Sequence, residues 1–209
     1  MKLFDLDGTL IDSNGLWQEV DRLFLSAHGL KSTPEYLDMV GHSIFPIAAQ
    51  YTKDYYSLDI SPEQIMDEWM TLARDAYEHH IPMKAGVFEY LTQEAQKTEP
   101  LALVSACVPE LGYAALNRHG LTSFFSHLVF AQEHGLEKRD PRFFQKVVDL
   151  LQVSPSECIL FEDAPYNCDV AKNIGMKVIG ILDPLYASET ERMHEICDQC
   201  IYDFLPLID

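Results

Sequence analysis

The residues best suited to chemistry stand at the start of the chain, where Asp5-Leu6-Asp7-Gly8-Thr9-Leu10 follows directly on the short apolar run Leu3-Phe4. In an extended chain the side chains of residues i and i+2 point the same way. The spacing therefore predicts that both carboxylates face one pocket beyond that strand. Gly8 permits a sharp turn there, with backbone N–H groups turned toward an anion. Ser105 ends the run Leu101-Ala102-Leu103-Val104, Glu162-Asp163 end Cys158-Ile159-Leu160-Phe161, and Lys138 stands just before a helix start at Asp140-Pro141. Singly, each reads as well as a helix cap or a solvated charge. Jointly they are expected in one crevice, because an open α/β sheet binds its ligands beyond the carboxyl ends of its strands.

Such a crevice has too much negative charge. Two carboxylates about 4 Å apart repel by roughly 4 kcal/mol at an effective dielectric of 20, and Lys138 alone cannot keep Asp5, Asp7, Glu162 and Asp163 all ionised. The balance is expected from a metal ion, and oxygen ligands without Cys or His select a hard cation, Mg2+, over zinc. A paired aspartate, a serine, a lysine, a Gly-Thr turn and Mg2+ are the parts of a phosphoryl-transfer site: a nucleophile, an acid/base and electrostatic clamps.

The elements that must position these groups are legible in the apolar pattern. Nearly continuous apolar runs at Leu3-Phe4, Leu101 to Val104, Leu128 to Phe130, Cys158 to Phe161 and Val178 to Ile181 alternate with helical stretches, with a weaker run near Cys200 to Tyr202. This predicts an α/β fold: a Rossmann-like parallel sheet core with helices on both faces. Asp140-Pro141 and Ser61-Pro62-Glu63-Gln64 announce helices, the first followed by Phe144, Val147, Val148 and Leu151 and the second by Ile65, Trp69, Leu72 and Ala76. Between about 13 and 81 only helical patterning occurs, beginning with Leu16, Val20, Leu23, Phe24 and Ala27. The chain is therefore divided into a core of residues 1–12 and 84–209 and a small all-helical cap of residues 13–83 inserted after the first strand, with backbone-permissive residues at Asn14-Gly15 and from Pro82 to Gly86.

Composition narrows the partners. The 209 residues carry 33 acidic and 15 basic side chains, a net charge of −18, which argues against nucleic acid as a partner. No apolar run reaches the ~18 residues of a membrane span and no signal-like stretch opens the chain, so a cytoplasmic protein with no membrane partner is expected. Five scattered cysteines, Cys107, Cys158, Cys168, Cys197 and Cys200, read as reduced thiols. Cys197-Asp198-Gln199-Cys200 is formally C-x-x-C but lacks the second pair of soft ligands that zinc wants. Oligomeric state is not legible, and a monomer is compatible with everything above.

Four segments in order, F-D-L-D-G-T-L-I-D-S, L-A-L-V-S-A, E-K-R-D-P-R-F-F and L-F-E-D-A-P-Y-N-C-D-V-A-K-N-I-G-M, resemble the motifs of the haloacid dehalogenase superfamily, in the branch of β-phosphoglucomutase-like phosphatases. The resemblance implies that Asp5 attacks phosphorus and that Asp7 protonates the leaving oxygen and then activates water. It implies that Ser105 and the amides of Leu6, Asp7 and Ala106 hold phosphate oxygens beside the Gly8-Thr9 turn, with Lys138 neutralising charge. Mg2+ is implied on Asp5, the carbonyl of Asp7 and Asp163, with Glu162 as a further ligand or as a partner behind the ligands. Gly41 and His42 are the candidates for a substrate loop in the cap, and the implied partner is a small phosphorylated metabolite. Ala164 and Asn167 depart from the usual Ser and Gly, Arg139 from the usual Pro, and Asn14 from a common Glu. Asp7 argues against dehalogenation. Gly41-His42-Ser43-Ile44-Phe45 lacks the Arg of relatives that isomerise phosphosugars, so a phosphatase is expected ahead of a phosphosugar mutase or a non-catalytic phosphometabolite-binding protein.

Overall fold

The computed structural model describes residues 1–41 and 43–208. The chain opens with strand β1 (Lys2–Phe4) and then runs through four helices, α1 (Asn14–Ala27), α2 (Pro34–Gly41), α3 (Phe45–Tyr56) and α4 (Pro62–Asp75). A π-helical turn, Ala76–His80, closes that stretch. Alternation follows: α5 (Val87–Ala95), β2 (Leu101–Ser105), α6 (Pro109–Arg118), β3 (Phe125–Phe130), α7 (Pro141–Leu151), β4 (Ile159–Glu162), α8 (Pro165–Asn173), β5 (Lys177–Ile181), α9 (Thr190–Ile196) and β6 (Gln199–Ile201).

All six strands are parallel, in the order β3-β2-β1-β4-β5-β6. Parallel strands under helices on both faces have no solvated side, and all five residues of β2 are buried. The first strand is central, with Phe4 opposite Leu103 on one side and Phe161 on the other. The strand order reverses about β1, so the carboxyl ends of β1, β2 and β4 adjoin at the switch point where such sheets bind ligands.

Two apolar clusters cover the sheet. One joins Phe4, Leu6, Leu10 and Leu103 to Val20, Phe24, Tyr36, Trp69 and Tyr77 of the helical stretch. The other packs Leu3, Val104 and Leu160 against Phe143, Phe144, Val147 and Val148 of α7 and Cys168 and Ala171 of α8. Helix α7 starts as its sequence dictates, with Asp140 Oδ1 accepting from the Arg142 N–H at 2.9 Å, and α4 carries the full capping box of Ser61 and Gln64.

Some expectations shift. Strand β3 begins at Phe125, three residues earlier than its purely apolar portion suggested, because Ser126 and His127 sit on its more exposed first half. Strand β6 stops at Ile201, and Tyr202 is solvent-exposed. Leu23 and Leu72, placed among the apolar stripes of their helices, are 38% and 36% exposed; they flank rather than enter the α1–α4 contact. All five cysteines are free thiols, and no helix among the described residues is long and apolar enough to cross a membrane.

Candidate active site

Asp5 is positioned by the sheet itself. Its N–H donates to the Phe161 carbonyl at 3.0 Å, prolonging the β1–β4 ladder by one residue, so its carboxylate emerges where Glu162 and Asp163 follow Phe161. Carboxylate oxygens of Asp5, Glu162 and Asp163 lie within 4.8 Å of one another, and all three residues are buried. Lys138, carried by the connection from β3 to α7, is buried with them: its ammonium donates to Asp5 Oδ1 at 2.7 Å and also to Glu162 Oε2. The second Glu162 oxygen accepts from the Ala164 N–H at 3.1 Å and the Asn167 amide at 3.3 Å. Asn167, a departure from the family pattern, thus braces the acidic loop with its side chain.

The turn after β1 is equally constrained. Gly8 has φ +74°, and a Cβ there would lie 2.1 Å from Asp163 Oδ2, so any side chain collides with the carboxylate it must sit beside. The Gly8 N–H donates to the Ile11 carbonyl at 2.9 Å and the Thr9 N–H to the Leu6 carbonyl at 3.3 Å. Those two amides therefore brace the turn. The Thr9 hydroxyl reaches Asp163 Oδ1 at 3.4 Å, and the Asn14 amide donates to Asp163 Oδ2 at 2.7 Å. Leu6 is fully buried beneath the turn. Ser105 ends β2 as expected, buried, with its Oγ accepting from the Cys107 N–H at 3.0 Å, while Ala106 beside it is exposed.

Asp7 has its own clamp. The Ser13 hydroxyl donates to Asp7 Oδ1 at 2.6 Å and the Tyr77 hydroxyl donates to the same oxygen at 2.5 Å, while Tyr77 in turn accepts from Trp17 Nε1 at 2.9 Å. Tyr77 sits in the π-helical turn at the end of the helical stretch, an irregularity frequent at functional sites. Sequence reading missed it. A lone tyrosine 70 residues away carries no local signal, although Ser13 lay inside the first quoted motif.

Electrostatics expose a shortage of positive charge. Burial pushes the Asp5 carboxyl up to about 8 against the pull of Lys138, with Glu162 and Asp7 adding to the rise. Burial also raises Asp163 well above the carboxylate range, reinforced by Glu162 and Asp5. Asp7 is raised by burial although Ser13 and Tyr77 stabilise its charge. Lys138 loses solvent too, yet Asp5 and Glu162 hold its proton above the usual lysine range. An all-oxygen donor set with three buried carboxyls and one ammonium is the kind a hard divalent ion completes, so Asp5, Glu162 and Asp163 fit Mg2+.

A cleft of about 320 Å³ is lined by Asp12, Gly15, Gln18, Asp183, Pro184 and Leu185, and none of the carboxylates of the cluster borders it. Gly41 is exposed at the end of α2 with open space around it. That end of α2 approaches the lysine-bearing connection, with Arg139 Nη2 3.8 Å from Met39 Sδ, and Ile44 is buried in the apolar cluster that includes Leu3 and Val104. His42 lies outside the described residues.

A sequence profile of the haloacid dehalogenase-like hydrolases matches residues 2–181. The chain is 28% identical over 182 residues to the validoxylamine A 7'-phosphate phosphatase of Streptomyces hygroscopicus subsp. limoneus, a match covering 86% of this chain and 84% of that protein. It is 24% identical over 188 residues to a phosphorylated carbohydrates phosphatase of Thermotoga maritima, covering 88% and 85%. Its fold is similar to that of CbbY from Rhodobacter sphaeroides in complex with xylulose-(1,5)bisphosphate, with a TM-score of 0.82 at 16% identity over 100% of this chain and 98% of that one. With the profile spanning the site from Asp5 to Asp163 and most of the sheet, the chain belongs to the haloacid dehalogenase-like hydrolase family.

Proposed function

We propose that this hydrolase is a phosphatase of a small phosphomonoester, a sugar phosphate or a similar metabolite, working through an aspartyl phosphate at Asp5. One observation carries the reading: a buried Asp5 whose carboxylate meets Lys138, Glu162 and Asp163 while Asp7, two residues on, is held separately by Ser13 and Tyr77. That arrangement divides the work of two carboxylates. Asp5 attacks phosphorus in line with the leaving oxygen; Asp7 gives that oxygen its proton and then takes one from the water that opens the intermediate. Burial favours the protonated form of Asp7, as an acid requires. Ser105 and the amides of Leu6, Asp7 and Ala106 hold the phosphoryl oxygens, and Lys138 neutralises their charge. Mg2+, held by Asp5, Asp163 and the Asp7 carbonyl with Glu162 in support, supplies the remaining positive charge.

Residues 13–83 act as a cap over a core of residues 1–12 and 84–209, with Gly41 and His42 in the loop that meets the substrate. Hydrolysis is favoured over phosphosugar isomerisation, since the turn from α2 to α3 brings no arginine. The neighbouring Arg139 is engaged by Glu137 at 2.7 Å. The names of the relatives, phosphatases of phosphorylated carbohydrates among them, agree with this substrate class, and unpaired cysteines suit a cytoplasmic setting.

The test is release of phosphate from an aryl phosphate with and without Mg2+. Wild-type protein is expected to show metal-dependent turnover, and Asp5→Asn to lose it by on the order of a thousandfold or more. Activity that survives Asp5→Asn, or none in the wild type with Mg2+, overturns the reading. A panel of phosphorylated sugars then ranks substrates.

A further inference from the structure

Tyr77, whose hydroxyl holds Asp7, sits in a turn that is itself held from outside. The π-helical turn Ala76–His80 closes through the Ile81 N–H, which donates to the Ala76 carbonyl at 2.9 Å. At Ile81 the chain becomes extended, with φ −63° and ψ 121°, so the helix ends there and the Ile81 carbonyl lies outside its ladder. That carbonyl accepts from two side chains at the C-terminal end of α6, Arg118 Nη1 at 2.6 Å and His119 Nε2 at 2.9 Å. A carbonyl only accepts, so the imidazole carries a proton on Nε2. The donors belong to the sheet-bearing part of the molecule and the acceptor to the end of the helical stretch. Helix α6 packs along the same turn, and Arg74 of α4 meets Glu110 of α6 at 2.7 Å at the solvent-exposed edge.

We propose that Arg118 and His119 are positioning residues for Asp7: by holding the Ile81 peptide they keep the π-helical turn in shape, and with it the Tyr77 hydroxyl on the Asp7 carboxylate. The proposal rests on the reading of Asp7 as the group that protonates the leaving oxygen. A π-helical turn is a rare conformation that its surroundings must maintain. Rewound as α-helix, the Ile81 N–H would donate to the Tyr77 carbonyl instead of the Ala76 carbonyl, and a register shift of one residue turns side chains by about 100° around the axis. Such a rotation takes the Tyr77 hydroxyl off Asp7 Oδ1 at 2.5 Å and off Trp17 Nε1 at 2.9 Å. The exit of the turn cannot absorb the rotation, because the next carbonyl, that of Pro82, is bound by the Asp12 N–H at 2.9 Å. Two donors on one acceptor, one of them a guanidinium, hold the peptide more firmly than either alone. Arg118 is exposed and His119 half-buried, so removing their donors opens no cavity in the core.

Loss of a general acid is felt in proportion to how much the leaving oxygen needs its proton. Nitrophenol leaves readily as its anion, whereas benzyl alcohol leaves only with a proton, and their phosphates are alike in size. With Mg2+ saturating, kcat/KM of Arg118→Met with His119→Ala is expected to fall roughly tenfold for benzyl phosphate and less than about twofold for nitrophenyl phosphate. Arg118→Lys with His119→Gln, which keeps both donors, restores most of the loss. In Tyr77→Phe, Arg118→Met with His119→Ala is expected to cost less than about twofold more, since what the donors hold is already gone. Equal losses on the two phosphates, no loss, or an undiminished further loss in Tyr77→Phe overturns the proposal.

A second readout needs no turnover. The Trp17 indole N–H donates to Tyr77, and its proton resonance, one of two from the two tryptophans of the chain, is assigned by its absence in Trp17→Phe. It is expected to shift in Arg118→Met with His119→Ala in the direction it takes in Tyr77→Phe, and an unmoved resonance overturns the proposal. Wild-type protein that turns over neither phosphate overturns the phosphatase reading and the role of Asp7 with it, while the indole resonance still decides whether the two donors hold Tyr77.

Discussion

Asp7 receives two hydroxyl donors on one oxygen, and this bears directly on how it would deliver a proton. With Ser13 and Tyr77 both on Oδ1, the carboxylate is fixed in orientation. Tyr77→Phe removes one donor and also leaves Trp17 Nε1 without its acceptor. A hydrogen bond to a charged group contributes about 1.5–3 kcal/mol, so kcat is expected to fall roughly ten- to a hundredfold, with KM changed little. Steady-state kinetics check this; a loss confined to KM means Tyr77 acts on binding instead. Asp5 supports a second prediction. Its carboxyl has an ordinary value of 3.8 in the unfolded chain and about 8 in the folded one, so between those values folding takes up a proton. Stability contributed by this group is therefore present at low pH and lost as pH rises toward 8. Without metal, the melting midpoint is expected to fall between about pH 4 and pH 8 and to level off above that, Asp5→Asn to flatten that slope, and Mg2+, which displaces the proton, to remove it. A midpoint independent of pH in the metal-free wild type contradicts the assignment. The residues that define the acidic cluster were legible because each stands where an apolar run stops. Tyr77 was not, because its partners Asp7 and Trp17 are brought to it by the folded chain rather than by neighbours in sequence.

Elements convert those spacings into a site through register. The match of Phe4 with Phe161 puts Asp5 level with Glu162, and a one-residue slip would turn the Asp5 side chain to the opposite face of the sheet. Strand identity and order of chemistry were readable from near-continuous apolar runs. Helical stripes were read less well where a residue such as Leu72 lies at the edge of the stripe, and the π-helical turn left no pattern at all. A different device anchors the helical stretch of residues 13–81. Its two ends run side by side, with the Asp12 N–H donating to the Pro82 carbonyl at 2.9 Å and the Lys84 N–H to the Leu10 carbonyl at 3.0 Å. Lys84 locks this pair to the segment after β5, its ammonium 2.8 Å from Asp183 and 3.6 Å from Asp12. Asp183 is buried and Lys84 largely so, and Lys84→Met leaves the Asp183 carboxylate with the Leu185 N–H at 2.9 Å but without its cation. The expected loss is about 3–5 kcal/mol, a fall in melting temperature on the order of 10 °C for a chain of this size. Calorimetry of Lys84→Met and of Lys84→Met with Asp183→Asn checks it: the double variant recovers part of the loss if the stranded charge is the cause. A single-variant shift below about 2 °C would show that the pair contributes no more than an exposed one.

At the scale of the whole molecule the net charge of −18 opposes the very ligand that the site is built to hold. A phosphomonoester arrives as a dianion, and its approach is slowed by a field extending over one Debye length, about 30 Å at 0.01 M salt and about 10 Å at 0.1 M. The same field enriches Mg2+ near the surface, so added salt both relieves the repulsion of substrate and weakens the attraction of metal. The two effects separate when Mg2+ is kept saturating. Under that condition kcat/KM for a phosphorylated sugar is expected to rise severalfold as sodium chloride increases from about 0.01 to 0.15 M, while kcat, which reports steps after binding, stays level. A neutral sugar at equal concentration should have no effect. If kcat/KM falls instead, the mouth of the site is locally positive, and Lys138 with the bound ion, rather than the thirty-three acidic residues of the chain, governs how substrate arrives.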